Sequence, residues 1–598
     1  MAERTTACAL DCYDACKIII EEDTFPKMTG DALHPVGNGA LCALLNKSIH
    51  EESRIEKPRV DGVEVSMDEA IAAVAEAFKK EKSLLWRGSG NMGVMQEVSN
   101  LFMEKIGGYL TKGSLCDAAG DAGIEIGRGV NRVLPLEQIK EAETVVVWGR
   151  NVTVTNAHMM PFLEGKKIVV IDPVKTAIAK KADYHLQIQP RTDFYIAIML
   201  ARFVFMEDSQ KDEWLEEFAP EFEDFYDFTR EFRIKPILDY CGTDLGQMGH
   251  VLEYLRDKKV VFLVGAGVQK YTTGHAALHA IDSLAAILGM FGGEGTGVHY
   301  LSDSKLGFEN PFAVNCKKVP KATTEFADFD TVLIQGGNPA ESMPDSNRVR
   351  ASLERVENLI YFGLYENETS KRARIVIPAK NFFEKEDLRL SYGHQYVEKM
   401  HKIIDSDIGI TEYDLSKKLF DVFGFEGLES ETFYIDAWLE QCRMEDGHYI
   451  SPGYEVTPYE AGFGEECDDE FEFIEEYDDD FINTKSFTKV RTSKKNRVDD
   501  EKFWLLTPKT NKALNTQFAN SNSIEMHSEL GFAEGQRVKV CSPHGEADFT
   551  VKINEDIRTN CVCISSNTKD VNMLTPTLLS DEGDNACYQE VKVEIQAL

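Results

Sequence analysis

Four cysteines constrain what this chain can fold into more than any other feature. They stand at Cys8, Cys12, Cys16 and Cys42, a C-x3-C-x3-C-x25-C spacing with three thiols packed into nine residues. Those nine residues carry neither helical nor strand periodicity, so they read as a loop built around a metal centre. A 4Fe-4S cluster takes one thiolate per iron, and a compact run with one distant cysteine lets the chain wrap it. Zinc is the rival, but four-thiol zinc sites come as two close knuckles rather than a triplet and a singlet. Structural thiols are the third reading.

At 598 residues the chain has room for about three to five domains. Its 13 cysteines are odd in number and no secretory or twin-arginine stretch precedes Cys8, so the expectation is reduced thiols in a cytoplasmic protein. The apolar run from Phe194 to Phe205 is interrupted by Arg202 and is too short to cross a bilayer. A formal charge of −36 argues against nucleic acid. Of the 16 residues from Glu465 to Asp480, 11 are acidic, and six basic residues follow between Lys485 and Arg497. That stretch reads as a solvated linker or as a docking surface for a basic redox partner.

A strand over Ser83 to Arg87 runs into Gly88-Ser89-Gly90-Asn91-Met92-Gly93, a literal G-x-G-x-x-G. No second strand ending in an acid follows at the usual distance, so a tight turn or a phosphate contact to another cofactor is expected rather than NAD. Cys116 heads a run of small residues, Asp117 to Gly123. A lone cysteine is most often a small buried hydrophobe, but small neighbours also let a bulky cofactor approach.

Two passages then resemble each other. Thr144 to Trp148 is followed by Gly149-Arg150-Asn151, and Thr331 to Gln335 by Gly336-Gly337-Asn338, with the turns 187 residues apart. Each continues into a strand, a threonine (Thr176, Thr369) and a helix, which predicts an internal duplication of an α/β nucleotide-binding unit. Asp172 ends the second strand of the first passage, where an acid would hold a ribose hydroxyl or a purine N–H.

In this order, the four-cysteine loop, Cys116, Trp148-Gly-Arg-Asn151, Asp172-Pro173, Pro190-Arg-Thr-Asp193, Gly336-Gly-Asn-Pro339, Glu368-Thr369 and Pro378-Ala379 resemble a known family. It is the molybdenum/tungsten bis-pyranopterin guanine dinucleotide oxidoreductases, which include dimethyl sulfoxide reductase and formate dehydrogenase. Phe503 to Pro508, Asn515, Gly535 to Cys541, His544-Gly545 and Asn572 to Pro576 are similar to the family's terminal β-barrel.

The resemblance implies an α/β fold of duplicated doubly wound units around a bis-pterin cofactor, with a small N-terminal iron–sulfur domain and a C-terminal β-barrel. The implied domains are residues 1–58 for the cluster, 59–143 with 325–430 and 144–324 for the cofactor, 431–500 as linker, and 501–598 for the barrel. Cys8, Cys12, Cys16 and Cys42 would hold the cluster, and Cys116 would ligate molybdenum or tungsten. Trp148, Gly149, Asn151, Asp172, Thr176 and Asp193 would line one guanine dinucleotide. Gly336, Gly337, Asn338, Thr369 and Asn572 would line the other, with Asn515 also on the cofactor.

This chain departs from the family at several positions. Asp117 stands where formate dehydrogenases carry a histidine, and Leu44 where a basic residue bridges cluster and pterin, with Lys47 as its candidate substitute. Arg191 replaces the glycine of a Pro-Gly-Thr-Asp motif. In the unassigned loop from Phe382 to Gln395, Arg389 and His394 are candidates to bind or protonate a small anionic substrate, with a surface ion-pair loop as the alternative. The implied function is two-electron redox of a small formate-like, oxo- or sulfur-anion substrate at the metal. Electrons would pass through the cluster to a partner protein or iron–sulfur subunit, without membrane insertion. The alternative is a non-catalytic relay subunit, like the large iron–sulfur subunit of NADH–quinone oxidoreductase.

Overall fold

The computed structural model describes residues 3–21, 25–51, 53–464, 469–477, 502–518 and 521–598. The chain divides into two compact units. The first takes Met1–Gly113, Ser304–Tyr454 and Asn511–Asn520, and the second takes Ser114–Asp303, Glu455–Thr510 and Ser521–Leu598.

In the second unit a five-stranded parallel sheet has the order Tyr184–Leu186, Lys167–Ile171, Thr144–Trp148, Val260–Val264, Gly297–His299. Its strands are near-continuous Val and Ile runs, as a sheet covered on both faces requires. The helix Asp193–Met206 accounts for the long apolar run and is buried on nearly every side. At about 1.5 Å per residue it is shorter than a bilayer core, and no described helix is long and apolar enough to cross a membrane.

The helix Ala118–Arg128, which begins two residues after Cys116, packs on the helix Gly274–Ile287 of the same unit. A Cβ at Gly123 would stand 2.1 Å from the His275 carbonyl oxygen, so only glycine lets the two backbones approach. Five residues on, fully buried Arg128 gives Asp282 two hydrogen bonds, the Nε one at 2.7 Å. These contacts lie within the second unit, whose first segment runs from Ser114 to Asp303.

The first unit holds an eight-stranded sheet. Its six parallel strands run Lys317–Pro320, Tyr109–Lys112, Ser83–Arg87, Thr331–Gln335, Asn358–Gly363, Ile375–Pro378, with Arg59–Val60 and Val63–Glu64 antiparallel at one edge. Five of the six repeat the strand order of the second unit's sheet. In that unit both neighbours of Thr144–Trp148 come later in the chain, whereas here Thr331–Gln335 lies between the earlier Ser83–Arg87 and the later Asn358–Gly363. A three-stranded antiparallel sheet, Glu3–Ala7, Lys17–Glu21 and Thr29–Gly30, carries the cysteine loop between its first two strands. The remaining sheet pairs Asp387–Arg389 with Tyr396–Met400 and then with two short strands.

A closed six-stranded barrel lies near the C-terminus, with Phe503–Leu506 as its first strand in the chain. Its hairpin Arg537–Cys541 with Glu546–Ile553 has the alternating burial expected of a half-covered strand pair.

Within the span expected as a linker, Glu431–Leu439 is a helix, and residues 469–477 belong to the second unit's core. Phe471 and Ile474 are buried, Phe473 stacks on Phe225 at 4.9 Å, and Tyr477 stacks on Phe194 at 3.6 Å. The acids Asp469, Glu470, Glu472, Glu475 and Glu476 stay exposed. The basic stretch Lys485 to Arg497 lies outside the described residues.

Gly123→Ala should destabilise the apoprotein by about 1–3 kcal/mol, because overpacking against a backbone carbonyl exceeds the gain in helix propensity. Gly249→Ala, in the helix Leu245–Leu255 with open space at its Cβ, should stabilise it. Thermal denaturation of the two variants checks the opposite signs, and a Gly123→Ala midpoint at or above wild type contradicts the packing argument.

Candidate functional site

The two matching turns fold alike. The strand Thr144–Trp148 ends at Gly149 with φ +56°, then Asn151 stands before the four-residue helix Val152–Thr155. The strand Thr331–Gln335 ends at Gly336 with φ +58°, then Asn338 stands before the four-residue helix Pro339–Ser342. Left-handed φ at the strand end is what glycine supplies without cost.

Both turns sit where their sheet's strand order reverses, the place where open α/β sheets bind ligands. At each switch a second glycine turn comes within backbone contact. A Cβ on Gly265 would stand 2.4 Å from the Gly149 oxygen, and one on Gly88 2.5 Å from the Gly336 oxygen. Three N–H groups of the Gly88 to Gly93 loop donate to protein, Gly88 to Gln335, Gly90 to Gly336 and Met92 to Ala9, each at 2.8 Å. A Cβ at Gly93 would collide with the Asp387 carboxylate, whose Oδ1 accepts from the Met95 N–H at 3.0 Å. The G-x-G-x-x-G stretch is thus a tight turn in which glycine is required by close packing.

In the second unit, Trp148 Nε1 donates to Asp193 Oδ1 at 2.8 Å and the Val174 N–H donates to Asp172 Oδ1 at 2.8 Å. Half-buried Thr176 accepts from the Ala179 N–H at 3.4 Å. Burial first, and then for Asp172 the Asp193 charge, pushes both carboxyls up to about 7 against their hydrogen bonds. Guanine presents N–H donors on one edge, so a pair of buried acids that lack full compensation fits such a base. Arg191 adopts φ +68°, the conformation a glycine would take freely, and is tied down by Glu590 at 2.7 Å. Asn572 is buried in this unit and accepts from the Thr575 hydroxyl at 3.3 Å.

In the first unit, Thr369 donates to Asn338 Oδ1 at 2.9 Å and accepts from the Ala340 N–H at 3.2 Å, locking the turn to its helix. Asn338 Nδ2 reaches Thr516 at 3.2 Å. Gly337 lies against the Trp86 ring, leaving no room for a Cβ. Asn515 donates to Asp11 Oδ2 at 2.8 Å, and the same carboxylate accepts from Ser89 at 2.7 Å and Tyr392 at 3.2 Å. Asp11, which the sequence reading passed over, thereby joins three loops to the cysteine loop.

Cys116 lies half-buried, with its backbone held at both ends. Its N–H donates to Ser114 Oγ at 2.7 Å, and its carbonyl accepts from Gln269 Nε2 and Lys270 Nζ. Asp117 accepts from the Ser114 hydroxyl at 2.8 Å, and its carbonyl accepts from Tyr300 at 3.3 Å. One turn further along the helix, burial pushes Asp121 up to about 7, opposed by a hydrogen bond from Asn131 and reinforced by Glu125, Asp117 and Asp303. Lys270, Gln269 and Asp121 carry no motif; they become visible once the helices Ala118–Arg128 and Gly274–Ile287 are packed.

Of the N-terminal thiols, Cys8 and Cys16 are buried, Cys12 is half-buried and Cys42 is exposed just before the helix Ala43–Ile49. The Cys8 N–H donates to the Cys16 carbonyl at 3.0 Å, closing the loop. Burial, then the Cys42 charge, pushes the Cys8 thiol up to about 12, while the Leu10 backbone and Arg389 pull it down. Cys12 and Cys16 are raised by burial and by neighbouring thiols and Asp14. Among the described residues no three Cys, His, Asp or Glu side chains gather as ligands of a single ion. A cluster instead takes one thiolate on each of four irons and holds its thiols apart, and an all-thiol set fits such a soft group.

The two side chains considered for a substrate are engaged with this loop. The Arg389 guanidinium donates to the carbonyls of Cys8, Leu10 and Cys12. His394 Nε2 meets the Asp14 carbonyl at 3.0 Å while Nδ1 accepts from the Tyr396 N–H at 3.2 Å. Lys47 donates to the Lys512 carbonyl at 2.7 Å.

The raised acids set a pH dependence. Asp172 and Asp193 ionise near the ordinary 3.8 when unfolded and near 7 when folded, so between those values the native chain holds more protons. Apoprotein stability should therefore fall as pH rises through that window. Asp172→Asn keeps an acceptor for Val174 and cannot ionise. Its thermal midpoint should exceed wild type above pH ~7 and converge with it toward pH ~4. Equal midpoints at the higher pH would remove Asp172 as a source of the slope.

Comparison with known proteins follows the same lines. The molybdopterin oxidoreductase family model matches residues 54–409, and the model described as Molydopterin dinucleotide binding domain matches residues 501–592. Probable oxidoreductase YoaE of Bacillus subtilis is 24% identical over 99% of this chain and 98% of its own length. The F420-dependent formate dehydrogenase subunit alpha of Methanocaldococcus jannaschii is 24% identical over 66% of each chain. Acetylene hydratase from Pelobacter acetylenicus shares the fold, with a TM-score of 0.76 over 100% of both chains at 13% identity. With more than half its length matched, the chain belongs to the molybdopterin oxidoreductase family, enzymes of the molybdenum and tungsten class that carry a pterin cofactor.

Proposed function

We propose that this chain is a catalytic subunit that oxidises or reduces a small substrate by two electrons at a molybdenum or tungsten centre. Cys116 would supply the protein thiolate to a metal carried by two pyranopterin guanine dinucleotides, and Cys8, Cys12, Cys16 and Cys42 would hold a 4Fe-4S cluster that supplies electron relay. One observation carries this reading. The same Gly-x-Asn turn, with φ +56° and +58° at its glycine, recurs at the switch point of two sheets of like strand order. Two copies of one nucleotide-binding turn suit two copies of one dinucleotide.

When bound, the metal supplies the two-electron chemistry and the cluster the one-electron steps. The chain's own residues position and protonate. Ser114, Gln269 and Lys270 fix the backbone on both sides of Cys116 and so aim its side chain. Asp172 and Asp193 would accept from the guanine edge, and Trp148 keeps Asp193 in place. Asp121, titrating near 7, takes or returns a proton where a formate dehydrogenase histidine is replaced by Asp117. A half-buried lysine beside Cys116 favours a small anion, formate-like or an oxo- or sulfur-anion. The formate dehydrogenase relative puts formate first among substrates to screen, and its designation as a subunit supports a redox partner for this chain.

Protein purified anaerobically from its own host should hold about one molybdenum or tungsten, about two pterins and about four irons per chain. Cys116→Ala should lose at least about a hundredfold in turnover with its iron unchanged. Iron without pterin or either metal, in fully matured protein, would instead make this an electron-relay subunit.

A further inference from the structure

We infer that Arg389 is the positioning residue of the cysteine loop, gripping its backbone and supplying the positive charge that balances a bound cluster. This rests on the reading of Cys8, Cys12, Cys16 and Cys42 as cluster ligands.

Arg389 ends the strand Asp387–Arg389 and is 2% exposed. Its Nε–H donates to the Cys8 carbonyl at 3.2 Å, and Nη2 donates to the carbonyls of Cys12 at 2.6 Å and Leu10 at 3.4 Å. Nη1 donates to its neighbour's carbonyl, Leu390. Three acceptors thus come from five consecutive residues, two of them thiol-bearing. A planar fork of fixed donors can hold such a curve of carbonyls, whereas a compact ammonium cannot span it.

The rest of the hairpin continues the grip. Ser391 donates to the Tyr13 carbonyl, His394 Nε2 to that of Asp14 at 3.0 Å, and Gly393 lies where a Cβ would enter the Tyr13 ring. The strand-to-strand connection from Arg389 to His394 is therefore a cradle for residues 8–14.

No described carboxylate lies within ion-pair distance of Arg389, and its acceptors are all neutral carbonyls. Of the loop's own acids, Asp11 is engaged elsewhere, with Ser89, Tyr392 and Asn515. A buried cation without a counter-ion is costly. A four-thiolate cluster is an anion whose charge grows on reduction, so it answers that need and is easier to reduce beside the cation.

The test is made on full-length protein matured anaerobically in its host. Iron content and the electron paramagnetic resonance signal of dithionite-reduced wild type are read first; a wild type without a cluster would overturn the cluster reading itself. With the cluster present, Arg389→Gln should shift the reduced-to-oxidised ratio at fixed poise about tenfold toward oxidised, about 59 mV more negative for one electron. Arg389→Lys keeps the charge and gives up the fork. Its ratio should stay within about threefold of wild type, while a chelator strips its iron faster. A wild-type potential in Arg389→Gln overturns the charge role, and wild-type chelator resistance in Arg389→Lys overturns the grip. If Arg389→Gln does not fold, the lysine variant decides alone: a shifted potential or unchanged chelator resistance refutes the inference.

Discussion

Everything else at the candidate sites depends on backbone meeting backbone more closely than a Cβ allows. Gly265 against the Gly149 carbonyl, and Gly88 and Gly90 against the Gly336 carbonyl, bring two strand ends together at each switch point. With those contacts made, Asn151 and Asn338 fall at the start of four-residue helices, Asp172 follows directly on the strand Lys167–Ile171, and Asp193 opens the helix Asp193–Met206. A larger residue at any of these glycines would part the strands before any ligand chemistry could matter.

Burial then sets the electrostatics. Asp121, Asp172 and Asp193 are carboxyls whose surroundings do not fully pay back lost hydration, so all three titrate near neutral pH. Arg191 shows the opposite balance. It occupies a left-handed conformation that glycine would take freely, and its ion pair with buried Glu590 offsets the strain. Glu590 in turn accepts from Thr272 at 2.9 Å, so one residue's departure from the family motif is compensated across the unit.

The residues that ran along one stretch of chain were legible before the fold was known. The strands around Trp148 and Gln335 showed themselves as Val and Ile runs, the glycine turns by position, and the hairpin near Cys541 by alternation. Charge was a poorer guide. Eleven acids in sixteen residues read as a solvated linker or as a docking surface, and among the described residues 469–477 Phe471, Phe473, Ile474 and Tyr477 pack into a core rich in aromatic side chains. An aromatic spacing hidden within an acidic run is weak in sequence because its partners, Phe194, Phe225 and Phe291, lie far away in the chain.

By itself the sequence determined the fold class, the duplicated turn and the thiol-rich beginning, because each is written in residue types at short, regular spacing. Only the tertiary structure decided what the loop after Phe382 touches. Arg389 and His394 have the chemistry of substrate ligands, and nothing in their neighbours distinguishes that role from another. The carbonyls that engage them belong to residues more than 370 positions earlier. Backbone acceptors leave no trace in side-chain identity, so a clamp on carbonyls is invisible until the chain is folded.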